Sequence, residues 1–80
     1  MHYYKNKTLD LCAFLMVKGE QLIDIERDGK QCEFVFQESE RLHTLVRAFL
    51  YEEENGTLTM VDARKLLAEL KNLKFKIYNN

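Results

Sequence analysis

The stretch from Leu9 to Val17 reads LDLCAFLMV, and its only polar residue is Asp10. The run is too short to cross a bilayer, which takes about 20 apolar residues in a helix. A helix that is apolar on nearly every side must instead be covered by other parts of the protein. Gly19 offers the left-handed conformation that commonly ends a helix. We therefore predict a helix over residues 9–18 and place it at the centre of the core.

The next segment, QLIDIERDGKQCEFVFQ, alternates apolar and polar residues on both sides of an Asp-Gly pair. This pattern predicts two antiparallel strands joined by a two-residue type I′ turn at Asp28-Gly29. The resulting register puts one continuous apolar face against the buried helix. It pairs Arg27 with Lys30, Ile25 with Cys32, Ile23 with Phe34, and Gln21 with Phe36.

Two amphipathic helices are predicted after the hairpin. Ser39 is a good N-cap, and the apolar residues after it have the spacing of a helix that ends near Tyr51. Thr59, with Asp62 three residues later, resembles a capping box at the start of a third helix. At the other end of the chain, residues 2–5 (HYYK) predict a short strand.

These elements predict one domain over residues 1–80, since no proline, repeat or low-complexity tract divides the chain. The fold class is α+β: a short N-terminal strand, the buried helix, the β-hairpin, and two amphipathic helices packed on one face of a small, mainly antiparallel sheet. A two-stranded sheet with a loose N-terminus is the alternative. A chain of this length buries only roughly 60–65% of its unfolded surface, so the core is expected to be thin.

Composition and charge limit the class of protein. The hydrophobic fraction of 46% and the charged fraction of 31% are those of an ordinary globular domain. The sequence starts with neither a signal-peptide pattern nor a lipidation motif, so we expect a cytoplasmic protein that binds no membrane. The net charge is −1, but acidic residues concentrate in the middle of the chain and basic residues at both ends. Such asymmetry is typical of proteins with a charged partner surface.

The helix and the glycine after it, LCAFLMVKG, resemble the signature helix of the homing endonucleases. In that family an acidic residue stands beside the last glycine and binds the catalytic divalent cation. Here Lys18 precedes Gly19, and a cation cannot ligate a metal ion. The chain also has one copy of the helix and no second. We therefore do not expect a nuclease.

No catalytic, cofactor or metal site is predicted. The three glycines serve a helix end, a turn and a loop, which leaves none for a phosphate-binding loop. Cys12 and Cys32 lie in apolar segments without zinc-binding spacing, and we expect buried thiols with no disulfide in a reducing compartment. A dyad of Cys12 with His43 would need an accessible thiolate, which burial disfavours. We therefore expect that this protein is not an enzyme.

The outer face of the hairpin is one candidate binding surface. In the predicted register Asp24 lies directly across from Glu33, and like charges so placed destabilise a sheet unless something offsets them. Leu22 and Val35 are their apolar neighbours. The candidate protein-binding residues are therefore Leu22, Asp24, Glu33 and Val35, and they suit a basic partner or a cation, although two carboxylates alone make a poor metal site. The alternative is a solvated face balanced by nearby basic residues.

The two ends of the chain form the other candidate surface. Both interleave lysines with aromatic residues, in HYYKNK and in KNLKFKIYNN. If the ends lie close together, they form a basic patch with rings that can stack on bases. Lysines near a helix C-terminus also stabilise the helix dipole, which needs no ligand. The candidate nucleic-acid-binding residues are Tyr3, Lys5, Lys71, Lys74, Lys76 and Tyr78.

Over nearly its whole length the chain resembles a family of short bacterial proteins of unknown function found in genomes, phages and integrative elements. The shared features are the tyrosine-rich start, the AFL and KG of the first helix, the DIERDGK hairpin and the closing Ile77-Tyr78. Because that family has no assigned activity, the resemblance implies an accessory protein of a mobile element or phage and identifies no functional residue.

These observations predict a non-enzymatic module that binds an unknown protein partner or itself. The alternative is a nucleic-acid-binding accessory factor that uses the basic, aromatic-containing ends. A sequence pI of about 6.1 disfavours that alternative, because neutralising phosphates normally takes a broadly basic surface.

Overall fold

The computed structural model describes residues 2–51 and 56–78 of the chain. Its elements follow the predicted order of strand, helix, hairpin, helix and helix. The strands are β1 (Tyr3–Asn6), β2 (Leu22–Asp28) and β3 (Gln31–Gln37). The helices are α1 (Leu9–Val17), α2 (Glu40–Leu50) and α3 (Ala63–Tyr78), with a short 3-10 helix at Thr57–Thr59 before α3.

Helix α1 lies at the centre of the core, as predicted. All five of its residues from Leu11 to Leu15 are buried. They form one apolar cluster with Phe34 and Phe36 of the sheet, with Leu42 of α2 and with Leu73 of α3. A helix buried around its whole circumference is stable only when several elements cover it at once. The other elements are therefore arranged around α1.

The sheet has three antiparallel strands in the order β1-β3-β2. β1 pairs with β3, beginning with Tyr3 opposite Gln37, so the alternative of a loose N-terminus is wrong. On β3, Phe34 and Phe36 belong to the core cluster, whereas Val35 between them faces the other way. Because side chains of all three helices share that cluster, the helices cover one face of the sheet. The predicted α+β architecture is confirmed.

The turn of the hairpin differs from the predicted one. Its two central residues are Gly29 and Lys30, with Asp28 opposite Gln31, and not Asp28 and Gly29. Gly29 has a φ of +63°, and among the described residues only glycines have a positive φ. This is the pattern of a type II′ turn, in which the first central residue alone needs a positive φ, whereas type I′ needs it at both.

The pairing of β2 with β3 shifts accordingly. Ile25 lies opposite Phe34 instead of Cys32, and Arg27 lies opposite Cys32 instead of Lys30. The predicted register would have set two cations side by side, which is unfavourable. Because the shift amounts to two residues along the partner strand, Ile25 and Phe34 still share the inner face that was predicted for them.

A bulge at Ile23 interrupts β2. On its two sides Leu22 lies opposite Phe36 and Asp24 lies opposite Val35, so the pairing skips Ile23. Leu22 packs against the core, whereas Ile23 is 48% exposed. The prediction that Ile23 faces the core was wrong, because an inserted residue reverses the two-residue alternation on which that prediction depended.

Helix α3 begins at Ala63, later than the predicted cap at Thr59, which instead belongs to the 3-10 helix. Asp62 takes the capping role, since its carboxylate accepts a hydrogen bond from the N–H of Arg64 at 2.8 Å. The N-cap of α2 is Ser39, as predicted, and its hydroxyl accepts a hydrogen bond from a backbone N–H of the first turn.

Two arginines from other elements hold the C-terminal ends of α1 and α3. Arg41 of α2 donates to the carbonyl oxygen of Lys18, which ends α1, and forms an ion pair with Glu20 at 2.8 Å. Arg27 of β2 donates to the carbonyl oxygen of Lys76 in the last turn of α3 at 3.1 Å. A cation at this end of a helix satisfies unpaired carbonyls and complements the dipole. The contacts thus tie α1 to α2, and α3 to the hairpin.

Replacing Gly29 with Val is expected to destabilise the domain by about 1 kcal/mol or more, because a β-branched residue would have to adopt a positive φ. An added Cβ would meet no atom within 4 Å beyond the neighbouring residues, so the loss would report backbone conformation alone. Urea unfolding followed by circular dichroism measures it. Lys30→Val is the control, since the other central residue of the turn has no positive φ. Equal urea midpoints for Gly29→Val and the unsubstituted chain would contradict the turn.

Candidate functional site

The face of the sheet that points away from the helices is acidic. The register of the three strands places on it Tyr3, Lys5, Asp24, Glu26, Asp28, Gln31, Glu33, Val35 and Gln37. We call this surface the open sheet face. Four of these residues are acidic and only Lys5 is basic. The described helices pack on the opposite side, so these charges face outward.

Lys5 joins the two edge strands across the open sheet face. Its ammonium lies 2.7 Å from a carboxylate oxygen of Glu26. Since β3 lies between β1 and β2, the Lys5 side chain crosses β3, which accounts for the low exposure of Val35, 5%. The hydrogen bond and charge of Glu26, together with the charge of Glu33, raise the pKa of Lys5. Lys5 therefore stays charged at neutral pH and is already engaged by carboxylates.

Glu26 and Glu33 are the like-charged pair of this face. They lie directly opposite one another, in place of the predicted pair of Asp24 and Glu33. The carboxylate of Asp24 instead accepts a hydrogen bond from the N–H of Ile25 at 2.8 Å. Two facing carboxylates destabilise a sheet unless a cation is near, and Lys5 supplies one. A second ammonium, that of Lys7, lies in the same groove as the pair and donates to the side-chain oxygen of Gln31 at 2.7 Å.

The structure thus divides the predicted protein-binding residues. Asp24, Glu33 and Val35 lie on the open sheet face, whereas Leu22 lies on the core side, beyond the bulge. Sequence reasoning missed Glu26, because it placed the turn one residue too early. A type II′ turn with glycine in its first central position gives the observed pairing and would have identified Glu26.

Helix α3 presents a second surface on the side that faces away from α1. At about 100° per residue, this side carries Arg64, Leu67, Lys71, Lys74, Phe75 and Tyr78, all of them exposed. We call it the basic stripe of α3. Its three large apolar side chains, Leu67, Phe75 and Tyr78, are 58%, 66% and 83% exposed. Large apolar groups clustered on an outer helix face indicate a binding surface.

The predicted nucleic-acid-binding residues do not form one patch. Tyr3 and Lys5 lie on the open sheet face, and Lys5 is paired with an acid. Lys76 lies beside β2, where it lines a small groove with residues 22–25. The idea that both ends of the chain build a common basic surface is wrong, because the sheet separates the β1 side chains from α3. The basic stripe holds the remaining candidates, Lys71, Lys74 and Tyr78.

Cys12 and His43 each contact other residues. The Cys12 thiol donates to the carbonyl oxygen of Asn6 at 3.8 Å, and burial raises its pKa to about 12. It is therefore a neutral thiol at physiological pH. His43 lies 2.7 Å from a carboxylate oxygen of Glu38. The described residues contain no group of three or more His, Cys, Asp or Glu side chains that could hold a metal ion.

An apolar cleft of about 380 Å³ opens beside α2. It is lined by Phe14, Ala48, Phe49, Gly56, Thr59, Val61 and Leu66. The hydroxyl of Thr59 already donates to the carbonyl oxygen of Gly56 at 3.0 Å. Substrate sites combine an apolar lining with placed polar groups that orient the ligand. In this cleft the polar side chain, that of Thr59, is already bonded within the protein, and the rest of the lining offers mainly apolar contact.

The family model described as Domain of unknown function (DUF5659) matches residues 1–79. The chain therefore belongs to this family, which confirms the expected membership in a family of unknown function. No curated protein and no solved structure matches the chain. Within residues 2–51 and 56–78, no helix is long and apolar enough to cross a membrane. Since membership assigns no activity, function has to be argued from the two charged surfaces.

Proposed function

We propose that this member of the DUF5659 family is a non-enzymatic protein-interaction module whose open sheet face binds a basic partner. One observation carries the proposal: four carboxylates, those of Asp24, Glu26, Asp28 and Glu33, share that face with two lysines, Lys5 on β1 and Lys7 just after it, whose ammonium bonds to Gln31 at 2.7 Å, so the face stays acidic. A surface of one charge sign attracts a partner of the opposite sign and determines which face the partner contacts.

A solvated outer face is the simpler explanation, and the pairing of acids argues against it. Sheet surfaces that only face water favour opposite charges as cross-strand neighbours. Here Glu26 and Glu33 face each other, the ammonium of Lys5 forms its ion pair with Glu26 at 2.7 Å, and that of Lys7 bonds to the neighbouring Gln31 at 2.7 Å. A basic side chain of a partner, placed near Glu33, would add to the compensation that Lys5 and Lys7 supply. Binding then stabilises a pairing that is unfavourable in the free protein.

We also propose a setting for the protein, the cytoplasm of a bacterium that carries a phage or integrative element. Its support is the resemblance of the sequence motifs, such as the DIERDGK hairpin, to proteins of such elements. The genes that neighbour the coding sequence test it, because an accessory protein of a mobile element is expected beside integration, replication or packaging genes.

A short lysine- and arginine-rich peptide is expected to bind the chain at low salt, as measured by fluorescence anisotropy. Glu33→Lys should weaken binding by roughly tenfold or more, which corresponds to about 1.4 kcal/mol. The fold should tolerate this variant, because the substitution replaces a like-charged cross-strand pair with Glu26 by an oppositely charged one. Glu40→Lys on α2 makes the same change in net charge away from the face and is the control. Equal losses for both variants, or no binding at all, would contradict the proposal.

Nucleic-acid binding by the basic stripe of α3 is the second candidate. The observation that favours it is the exposure of Lys71 and Lys74 next to Phe75 and Tyr78. Cations that reach phosphates and rings that stack on bases are the two components of single-strand binding. The net charge of −1 disfavours it, because the acidic open sheet face repels the same phosphates.

An oligonucleotide titration separates the two candidates. If lysines of the stripe touch phosphates, log K for a fluorescent single strand falls against log salt with a slope of about −0.7 per contact, and Lys74→Glu flattens it. Tyr78→Ala costs about 1–3 kcal/mol if a base stacks on the ring. We expect no affinity better than roughly 10⁻⁴–10⁻⁶ M at physiological salt and no loss from Tyr78→Ala. A tight complex that responds to both substitutions would reverse the ranking.

A further inference from the structure

We infer that the basic partner of the open sheet face is a second copy of this chain, which binds through the basic stripe of its α3. This inference rests on the proposed function and names its partner. The two surfaces lie on different sides of the molecule, one on the outer face of the sheet and one on the outer face of the helical layer. Each copy can therefore use both, and the contact joins unlike surfaces.

Charge complementarity is the first argument for this pairing. The open sheet face carries the carboxylates of Asp24, Glu26 and Glu33, and the basic stripe carries exposed Lys71 and Lys74. Opposite potentials on two surfaces of the same protein favour contact between copies and set its orientation. A lysine of the stripe placed near Glu33 would add a further cation to a face on which four carboxylates outnumber Lys5 and Lys7.

Like-with-like pairing is disfavoured by the same charges. In a symmetric dimer through α3, the lysines of both stripes would face each other around Lys71. In a symmetric dimer through the sheet, the pair of Glu26 and Glu33 would meet a second acidic pair. Either arrangement adds repulsion to the apolar contact. The pairing of unlike surfaces buries Leu67 and Phe75 of the stripe and brings opposite charges together.

The dimensions of the two surfaces agree. Helix α3 has 16 residues, which makes it about 24 Å long. Strands β2 and β3 have 7 residues each, which makes them about 23 Å long. One helix can thus lie along the open sheet face over its full length. A contact between one helix and three short strands is smaller than the roughly 800 Å² per partner of a stable complex, so we expect weak association that decreases with salt.

Pairing of unlike surfaces has a consequence that a symmetric dimer does not share. Every copy that binds still offers one unoccupied open sheet face or one unoccupied stripe, so association continues beyond the dimer unless it closes into a ring. At low salt the average molecular mass should therefore rise with protein concentration and exceed the mass of two chains. Added salt should return it to the monomer, because exposed charges are screened within about 10 Å at 0.1 M.

Analytical ultracentrifugation of the full chain at low salt, with two charge reversals, tests the inference. Glu33→Lys inactivates the open sheet face and leaves the stripe intact, whereas Lys71→Glu does the reverse. Each variant alone should be monomeric. Their equimolar mixture should associate again and contain pairs of one copy of each, because it contains one intact surface of each kind. Glu40→Lys and Arg47→Glu on α2 are the charge-matched controls and should associate like the unsubstituted chain, and circular dichroism verifies that all variants fold.

Several results would overturn the inference. They are a monomeric unsubstituted chain at low salt and high concentration, a variant that still associates alone, or a mixture that stays monomeric. The peptide-binding experiment shows whether the self-association alone is wrong or whether the proposed function is wrong as well. If the chain stays monomeric but the peptide binds and Glu33→Lys abolishes that binding, the partner is a different basic protein. If Lys71→Glu affects oligonucleotide binding and leaves association unchanged, the stripe serves nucleic acid.

Discussion

The burial of α1 around its whole circumference is the constraint on which the rest of the structure depends. Residues Leu11 to Leu15 are buried without interruption, so the middle of this helix is covered on every side. The sheet covers one side, and α2 and α3 cover the others. All three helices are thereby committed to the same face of the sheet. The described residues form no second layer of helices, so the opposite face of the sheet is left uncovered.

The distribution of charge follows from this arrangement. Among the described residues no polar or charged side chain is buried, so the charges lie on the outer surfaces, and the strands and α3 sort them by sign. Carboxylates gather on the open sheet face around Lys5, and lysines gather on α3, while Arg27 and Arg41 are used at helix ends. The net charge of −1 conceals this polarity. The proposed interaction surfaces result from it.

The sequence patterns predicted the helices and the fold class, which depend on hydrophobicity. They missed the hairpin register and the bulge, which depend on local backbone geometry. The apolar run of α1 and the spacing in α2 and α3 predicted the helices and the α+β class, because burial is a sum over many residues. The hairpin was predicted, but its register was wrong. The predicted type I′ turn has Gly29 as its second central residue, whereas the observed type II′ turn has it as the first. That step determines that Glu26, not Asp24, faces Glu33. The bulge at Ile23 has no signature in an alternating sequence.

Native-state hydrogen exchange of individual amides tests the central position of α1 most directly. The amides of residues 12–16 are expected to exchange only when the whole domain unfolds, so their exchange free energies should equal the unfolding free energy from urea. The last turn of α3, held from outside by Arg27, should exchange earlier through local opening. Exchange in α1 that is faster than at Phe34 and Phe36 of β3 would contradict the account, since it would place the helix at the edge of the core.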